Sequence, residues 1–191
     1  MKFCTQCGSA VDLRIPEGDN VPRHVCARCG EIHYLNPKVV VGTVARWEDR
    51  VLMCRRAIEP RYGLWTLPAG FLENDETTIE GAMRETLEEA AARVKIKQLY
   101  TLFNLPHINQ VYVMFLADLT APEFGPGPES LEVTLCDERD IPWDDIAFPV
   151  IEQTLKLYFE DRRRGRFGVH SGDIVRLPGP RRAFEVRMLR D

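Results

Sequence analysis

Hydrophobic and polar positions change period several times along the chain. From Lys38 to Trp47, and again from Val51 to Arg56, apolar and β-branched residues run almost unbroken, with Pro37 before them and Glu48-Asp49-Arg50 between them. That pattern predicts two strands joined by a hairpin turn. Glu59 to Gly63 reads as a loop, and Trp65 to Pro68 as a short extended segment ending at Pro68-Ala69-Gly70. Helical spacing begins near Thr78, announced by the capping box Thr77-x-x-Glu80. Lys95 to Phe103, Gln110 to Leu119 and Leu131 to Cys136 predict further strands, with an irregular Gly/Pro loop from Pro122 to Pro128. Ala147 to Arg164 repeats Val150, Ile151, Thr154, Leu155 and Tyr158 at helical spacing. The strands outnumber and separate the helices, so the expected class is α+β, a mixed sheet sandwiched by helices.

The first helix is unusual on a helical wheel. Ile79, Met83, Thr86, Leu87 and Ala90 share one face, and Glu85, Glu88 and Glu89 crowd the opposite one at i, i+3 and i+4. Like charges at that spacing repel unless water screens them or a cation sits among them. Oxygen donors so dense suit a hard divalent ion, Mg²⁺ or Mn²⁺.

Composition narrows the picture. The 191 residues are 45% hydrophobic and 28% charged with a net charge of −4, which excludes collagen-like and wholly disordered chains. The longest apolar run, Val39 to Ala45, is far short of the roughly 20 residues of a membrane helix. No secretion-type leader is visible, so a cytoplasmic protein without a membrane partner is expected. Charge is uneven: Arg162 to Asp191 holds nine arginines, no lysine and three acids, interrupted by Gly165, Gly168, Gly172, Pro178, Gly179 and Pro180. Residues 165–191 therefore read as a basic, loop-rich C-terminal tail.

Four of the six cysteines form Cys4-x2-Cys7 and Cys26-x2-Cys29, with a glycine directly after each pair. Two such knuckles can surround one tetrahedral zinc, whereas four thiolates leave no open position for catalysis. Residues 1–36 are too few to bury a core, so one structural Zn²⁺ would supply most of their folding energy. Two disulfides are the competing use. Cys54 and Cys136 sit in apolar runs and read as core thiols, and His24 and His33 as surface or packing residues.

Gly70, Glu76, Arg84, Glu85, Glu88 and Glu89 fit G-x5-E-x7-R-E-x2-E-E. This resembles the Nudix box of the Nudix hydrolases, which cleave nucleoside diphosphates linked to another moiety. A four-cysteine ribbon ahead of it resembles the branch with NADH, ADP-ribose and FAD pyrophosphatases. The resemblance implies an α/β/α sandwich over residues 37–164, with Glu85, Glu88, Glu89 and the Gly70 carbonyl on Mg²⁺, Arg84 orienting a box carboxylate, and Glu76 paired with Arg84. It also allows a homodimer. Ala91 and Ala92 depart from the family's glycine and aliphatic residue, so the helix is expected to run on or leave by a different turn.

The implied activity is Mg²⁺-dependent cleavage of a dinucleotide-type small molecule, ADP-ribose or FAD, releasing AMP. The alternatives are NADH pyrophosphatase, decapping of NAD-capped RNA, and a zinc-ribbon interaction module with a nucleotide-sensing domain. Nucleic acid is not the expected partner, because the ribbon's four basic and four acidic residues balance. An extra carboxylate outside the box is expected from Glu132 or Glu129, with Glu132 preferred. Arg55 and Arg56 are candidate phosphate contacts, and Trp65, Phe71 and Tyr112 candidate stacking residues.

Overall fold

The computed structural model describes residues 1–179 and 183–189. Pro180, Arg181, Arg182, Arg190 and Asp191 of the basic tail lie outside the described residues. The chain divides into a unit from Met1 to Pro37 and a second from Lys38 onward.

In the first unit, β1 (Val11–Arg14), β2 (Arg23–Cys26) and β3 (Ile32–His33) form a small antiparallel sheet. Its buried hydrophobic residues are Cys4, Val25 and Cys26, while Phe3, Leu13, Ile15, Tyr34 and Leu35 are exposed. Burial on that scale cannot offset the chain entropy of 37 ordered residues.

The second unit is built on β4 (Lys38–Trp47), β5 (Arg50–Arg56), β6 (Trp65–Thr66) and β7 (Ala69–Phe71), then α1 (Thr78–Ala90). There follow β8 (Val94–Leu105), β9 (Gln110–Leu119), β10 (Ser130–Cys136), α2 (Pro149–Arg164), β11 (His170–Arg176) and β12 (Phe184–Met188). The sheet runs β10-β5-β4-β9-β8-β11-β12, with β6 added to β5 and β7 to β4. It is mixed, because β4–β9 and β8–β11 are parallel and the other pairs antiparallel.

The unbroken apolar runs arise because both faces of the sheet are covered. Val40, Val44, Met53 and Met114 join Ile151, Leu155, Tyr158 and Phe159 of α2 in one core cluster. The alternate residues Val41 and Phe115 pack with Ala82 of α1, and Ala45, Leu52 and Cys54 with Ala90. Cys54 and Cys136 are buried core thiols.

One expectation is overturned, and one arrangement is not what hydrophobicity alone suggests. The segment from residue 165 is not merely a loop-rich arm: it supplies β11 and β12, which extend the sheet beyond β8. Its turn glycines misled the reading, yet Gly172 sits within a strand pair, where a Cβ would lie 2.4 Å from the Arg187 carbonyl oxygen. The second concerns α1, whose large apolar residues Ile79, Met83 and Leu87 are exposed, whereas Gly81, Ala82, Glu85, Thr86, Glu89 and Ala90 are buried. Among the described residues, no helix is long and apolar enough to cross a membrane.

Candidate active site

Entry into α1 is fixed by short-range hydrogen bonds. The Thr77 side chain accepts from Glu80 N–H, and the Glu80 carboxylate accepts from Thr77 N–H at 2.8 Å. Before the helix, Glu76 accepts from Glu73 N–H at 2.8 Å and takes Arg84 through both carboxylate oxygens, at 3.0 and 2.7 Å. The Arg84 guanidinium beside it, together with the Glu73 N–H, holds the Glu76 carboxyl down to about 2. Arg84 also donates to Glu85 at 2.7 Å, Glu88 at 3.1 Å and the Phe71 carbonyl at 3.1 Å. One planar cation thus ties the loop, the helix and two glutamates together.

The three glutamates occupy different environments. Glu88 is half-exposed, Glu85 is 9% exposed and Glu89 is 6% exposed. Burial raises the Glu85 carboxyl above the usual carboxylate range, though Arg84 opposes it. Burial pushes Glu89 up to about 8, against the donated Ala69 N–H at 2.9 Å, and the nearby Glu85 charge adds to the rise. The backbone makes room for these groups, since a Cβ on Gly70 would lie 2.3 Å from the Glu85 carboxylate.

Beyond the helix, Ala91 takes the left-handed conformation, φ 48° and ψ 24°, and α1 stops at Ala90. The expectation that alanine would prolong the helix is therefore wrong, and the helix leaves by the left-handed turn that glycine usually provides. The Gly/Pro loop then folds over this end: Gly125 N–H donates to Ala90 O at 2.9 Å and Gly127 N–H to Glu89 O at 3.1 Å. A Cβ on Gly127 would lie 1.6 Å from Glu88 O, so only glycine permits that approach. The loop delivers Glu129 to the cleft, where its charge acts on both Glu85 and Glu89.

A cavity of about 1240 Å³ opens here, lined by Gly70, Arg84, Glu85, Glu88, Glu89 and Glu129 on its acidic side. Arg56, Arg61 and Arg176 also line it, and none forms an ion pair with a described residue. Arg56 donates to the Pro60 carbonyl at 3.1 Å and lies over the Phe148 ring. Phe71 and Tyr112 line the cavity as well.

Three sequence candidates lie elsewhere. Glu132, the preferred extra carboxylate, is half-exposed and faces Arg55 at 3.8 Å. The two are register partners of β10 and β5, and a bulge between Ser130 and Glu132 separates it from Glu129. Arg55 donates to the Gly63 carbonyl at 3.0 Å, since neighbouring strand residues point to opposite faces and Arg56 has the cavity side. Trp65 packs against the main core. Missed by sequence reasoning were Arg61, His107, Phe148, Ile174, Arg176 and Phe184, all cavity-lining. No spacing rule marks them, because five separate segments supply them.

In the first unit, the four cysteine sulfurs lie within 4.8 Å of one another, with Cys4–Cys29 at 3.6 Å and Cys7–Cys26 at 3.5 Å. Gln6 N–H donates to Cys4 Sγ and Cys29 N–H to Cys26 Sγ, as a thiolate-binding knuckle requires. Gly8 and Gly30 take φ 72° and 75° at the turns. Among the described residues, these four form the only group of three or more metal-ligating side chains drawn so closely together.

Comparisons with known proteins agree with this architecture. Residues 2–35 match the zinc-ribbon family described as Nudix N-terminal, and residues 36–154 match the NUDIX domain. A crystal structure of a NUDIX hydrolase from Nitrosomonas europaea is 58% identical, with a TM-score of 0.89, covering 92% of this chain and all of that one. An ADP-ribose pyrophosphatase of Methanocaldococcus jannaschii is 29% identical over 115 residues, 57% of this chain and 67% of that protein. The NAD-capped RNA hydrolase NudC of Photobacterium profundum is 28% identical over 162 residues, 81% of this chain but 58% of that protein. The chain thus spans little more than half the length of that relative. With the family match covering most of its length, the chain belongs to the Nudix hydrolases, a NUDIX domain preceded by the family's zinc-ribbon module.

Proposed function

We propose that the protein hydrolyses the diphosphate bond of a nucleoside-diphosphate-linked small molecule, ADP-ribose or FAD, in a Mg²⁺-dependent reaction that releases AMP. The observation that carries this reading is the meeting of a buried carboxylate helix and three arginines, none ion-paired with a described residue, around one cavity. Such a cavity suits a ligand whose central group is polyanionic.

The donor set fits a hard cation. Glu85 and Glu88 already accept hydrogen bonds from a positive charge, the Arg84 guanidinium, and burial leaves Glu89 needing positive charge to ionise fully near neutral pH. Glu85, Glu88 and Glu89, with the Gly70 carbonyl, would hold Mg²⁺. Bound there, the ion would supply charge neutralisation for phosphate oxygens and make an attacking water more acidic. Arg84 positions Glu85 and Glu88 and is itself fixed by Glu76. Arg56 and Arg61 orient the diphosphate. Glu129 takes over the proton-accepting role first assigned to Glu132, because only Glu129 borders the cavity. In the first unit, the four sulfurs suit one structural Zn²⁺, so about one zinc per chain should survive dialysis.

The reading is tested by AMP release from ADP-ribose, FAD, NADH and NAD, with and without Mg²⁺. The names of the NudC relatives support a second reading, so an NAD-capped RNA oligonucleotide belongs in the panel. Mg²⁺-dependent AMP release from ADP-ribose or FAD supports the proposal; cleavage of the capped RNA alone favours the second reading. No hydrolysis of any of them by folded protein refutes both.

A further inference from the structure

The match to the NUDIX domain ends at residue 154, yet β11 and β12, which lie beyond it, wall the same cavity. Arg176 and Phe184 are register partners across this hairpin, so their side chains share a face, and Ile174 shares it two residues earlier. All three line the cavity. The Phe184 ring lies 5.5 Å from the His107 ring, tilted by 49°, and the fully buried Ile174 belongs to the core behind it. Arg176 is exposed and makes no ion pair with a described residue.

The hairpin is held firmly enough to recognise a ligand. β11 runs parallel to β8 from His170 opposite Thr101 to Asp173 opposite Asn104, and Asn104 donates to the Asp173 carboxylate at 3.0 Å. His170 meets Asp161 of α2 at 2.7 Å. The cavity, at about 1240 Å³, exceeds the roughly 300–1,000 Å³ common for small-molecule sites, so it has room beyond a diphosphate.

We propose that the β11–β12 hairpin is the base-recognition wall of this enzyme: Phe184, backed by His107 and Ile174, stacks an aromatic base, and Arg176 pairs with the phosphate next to that base. The inference rests on the hydrolase reading above and assigns specificity within it.

Calorimetric binding of AMP and of ribose 5-phosphate, in Mg²⁺, tests it on full-length wild type and on Phe184→Ala, Phe184→Leu, Arg176→Gln and Arg187→Ala. Base stacking on an aromatic side chain is worth about tenfold in affinity. Wild type should therefore prefer AMP by about tenfold, and Phe184→Ala should abolish that preference while leaving ribose 5-phosphate affinity within about twofold. Phe184→Leu, which keeps the apolar bulk, should lie between. Arg176→Gln should weaken both ligands alike. Arg187→Ala, on the other face of β12, should change neither. A preference for AMP that survives Phe184→Ala overturns the proposal, as does a wild type that shows no preference or binds neither ligand. Loss of AMP preference in a protein that hydrolyses nothing refutes the hydrolase reading but keeps the base wall. Active enzyme whose KM and AMP affinity ignore Phe184→Ala refutes the wall alone.

Discussion

On α1, Gly81, Ala82, Glu85, Thr86, Glu89 and Ala90 are buried, whereas Ile79, Met83 and Leu87 are 45%, 41% and 42% exposed. Hydrophobicity alone would turn the helix the other way. Close approach explains the choice: a Cβ at Gly81 would lie 2.7 Å from Glu76 Oε1 and 2.9 Å from Val41 Cγ2. A face of small residues lets the helix sit near the sheet, and a face of Ile, Met and Leu would hold it away. The orientation forgoes less than half of the about 1.5–3 kcal/mol that full burial of each large apolar side chain would give, because more than half of each is already covered. In return, two carboxylates lie under cover, where a cation interacts with them more strongly than in bulk water.

The contrast between the two faces is sharpened most by Glu89→Gln. The amide keeps an acceptor for Ala69 N–H and nearly the same shape, and it removes only the ability to ionise. Groups that merely orient a metal ligand cost about 10–100-fold, so this change should lower Mg²⁺-dependent kcat/KM by more than about a hundredfold. The melting temperature should hold or rise, because burial disfavours the ionised carboxyl it replaces. Activity within about tenfold of wild type would make the buried acids structural rather than catalytic.

Thr86→Val tests the packing half of the same face. The Thr86 hydroxyl donates to Ala82 O at 2.7 Å, so the buried Thr43 hydroxyl, also 2.7 Å away, donates to Thr86. Valine keeps the shape but strands Thr43, at a cost of about 1–3 kcal/mol in urea unfolding. The double variant Thr43→Val, Thr86→Val should cost clearly less than the two singles summed, since neither polar group is then left alone. Additive losses would show that the pair does not couple helix to sheet.

Much of this region was readable from sequence, because it is local chemistry at fixed spacing. The capping box at Thr77 and Glu80, the Gly70 to Glu89 pattern and the paired cysteines each need only neighbours along the chain. The strands Lys38–Trp47 and Gln110–Leu119 were legible because long β-branched runs admit few other structures. The facing of α1 was not legible, since the wheel weighs hydrophobicity and not the distance a helix must approach. That Glu129 rather than Glu132 borders the cavity was not legible, because it depends on a bulge between Ser130 and Glu132. The hairpin wall was invisible for a different reason: Phe184 reaches His107 only through strand order, which spans 77 positions of sequence.

The helix exit gives a smaller effect. Ala91 holds φ 48°, a conformation that costs an L-residue about 1–2 kcal/mol. Ala91→Gly should stabilise the protein by about 1 kcal/mol or slightly less, because glycine also frees the unfolded chain. Its turnover should stay near wild type, since Gly125 and Gly127 already fix this end of the helix. A destabilised Ala91→Gly would mean that the alanine methyl makes packing contacts that outweigh its strain.

The smallest effect belongs to the exposed face. Replacing Met83 and Leu87 by lysine removes apolar groups that water already reaches, so urea unfolding should shift by no more than about 0.5 kcal/mol. This near-null result carries as much weight as the large loss at Glu89, because both follow from one orientation of the helix. The two lysines would also sit close to a row of acids, which favours them electrostatically if it does anything. The measurement should be made at two protein concentrations about twentyfold apart. A loss above about 1 kcal/mol that grows on concentrating the wild type would show that a second molecule covers this face in solution. The same loss without concentration dependence would turn the helix back toward the orientation its hydrophobicity suggested.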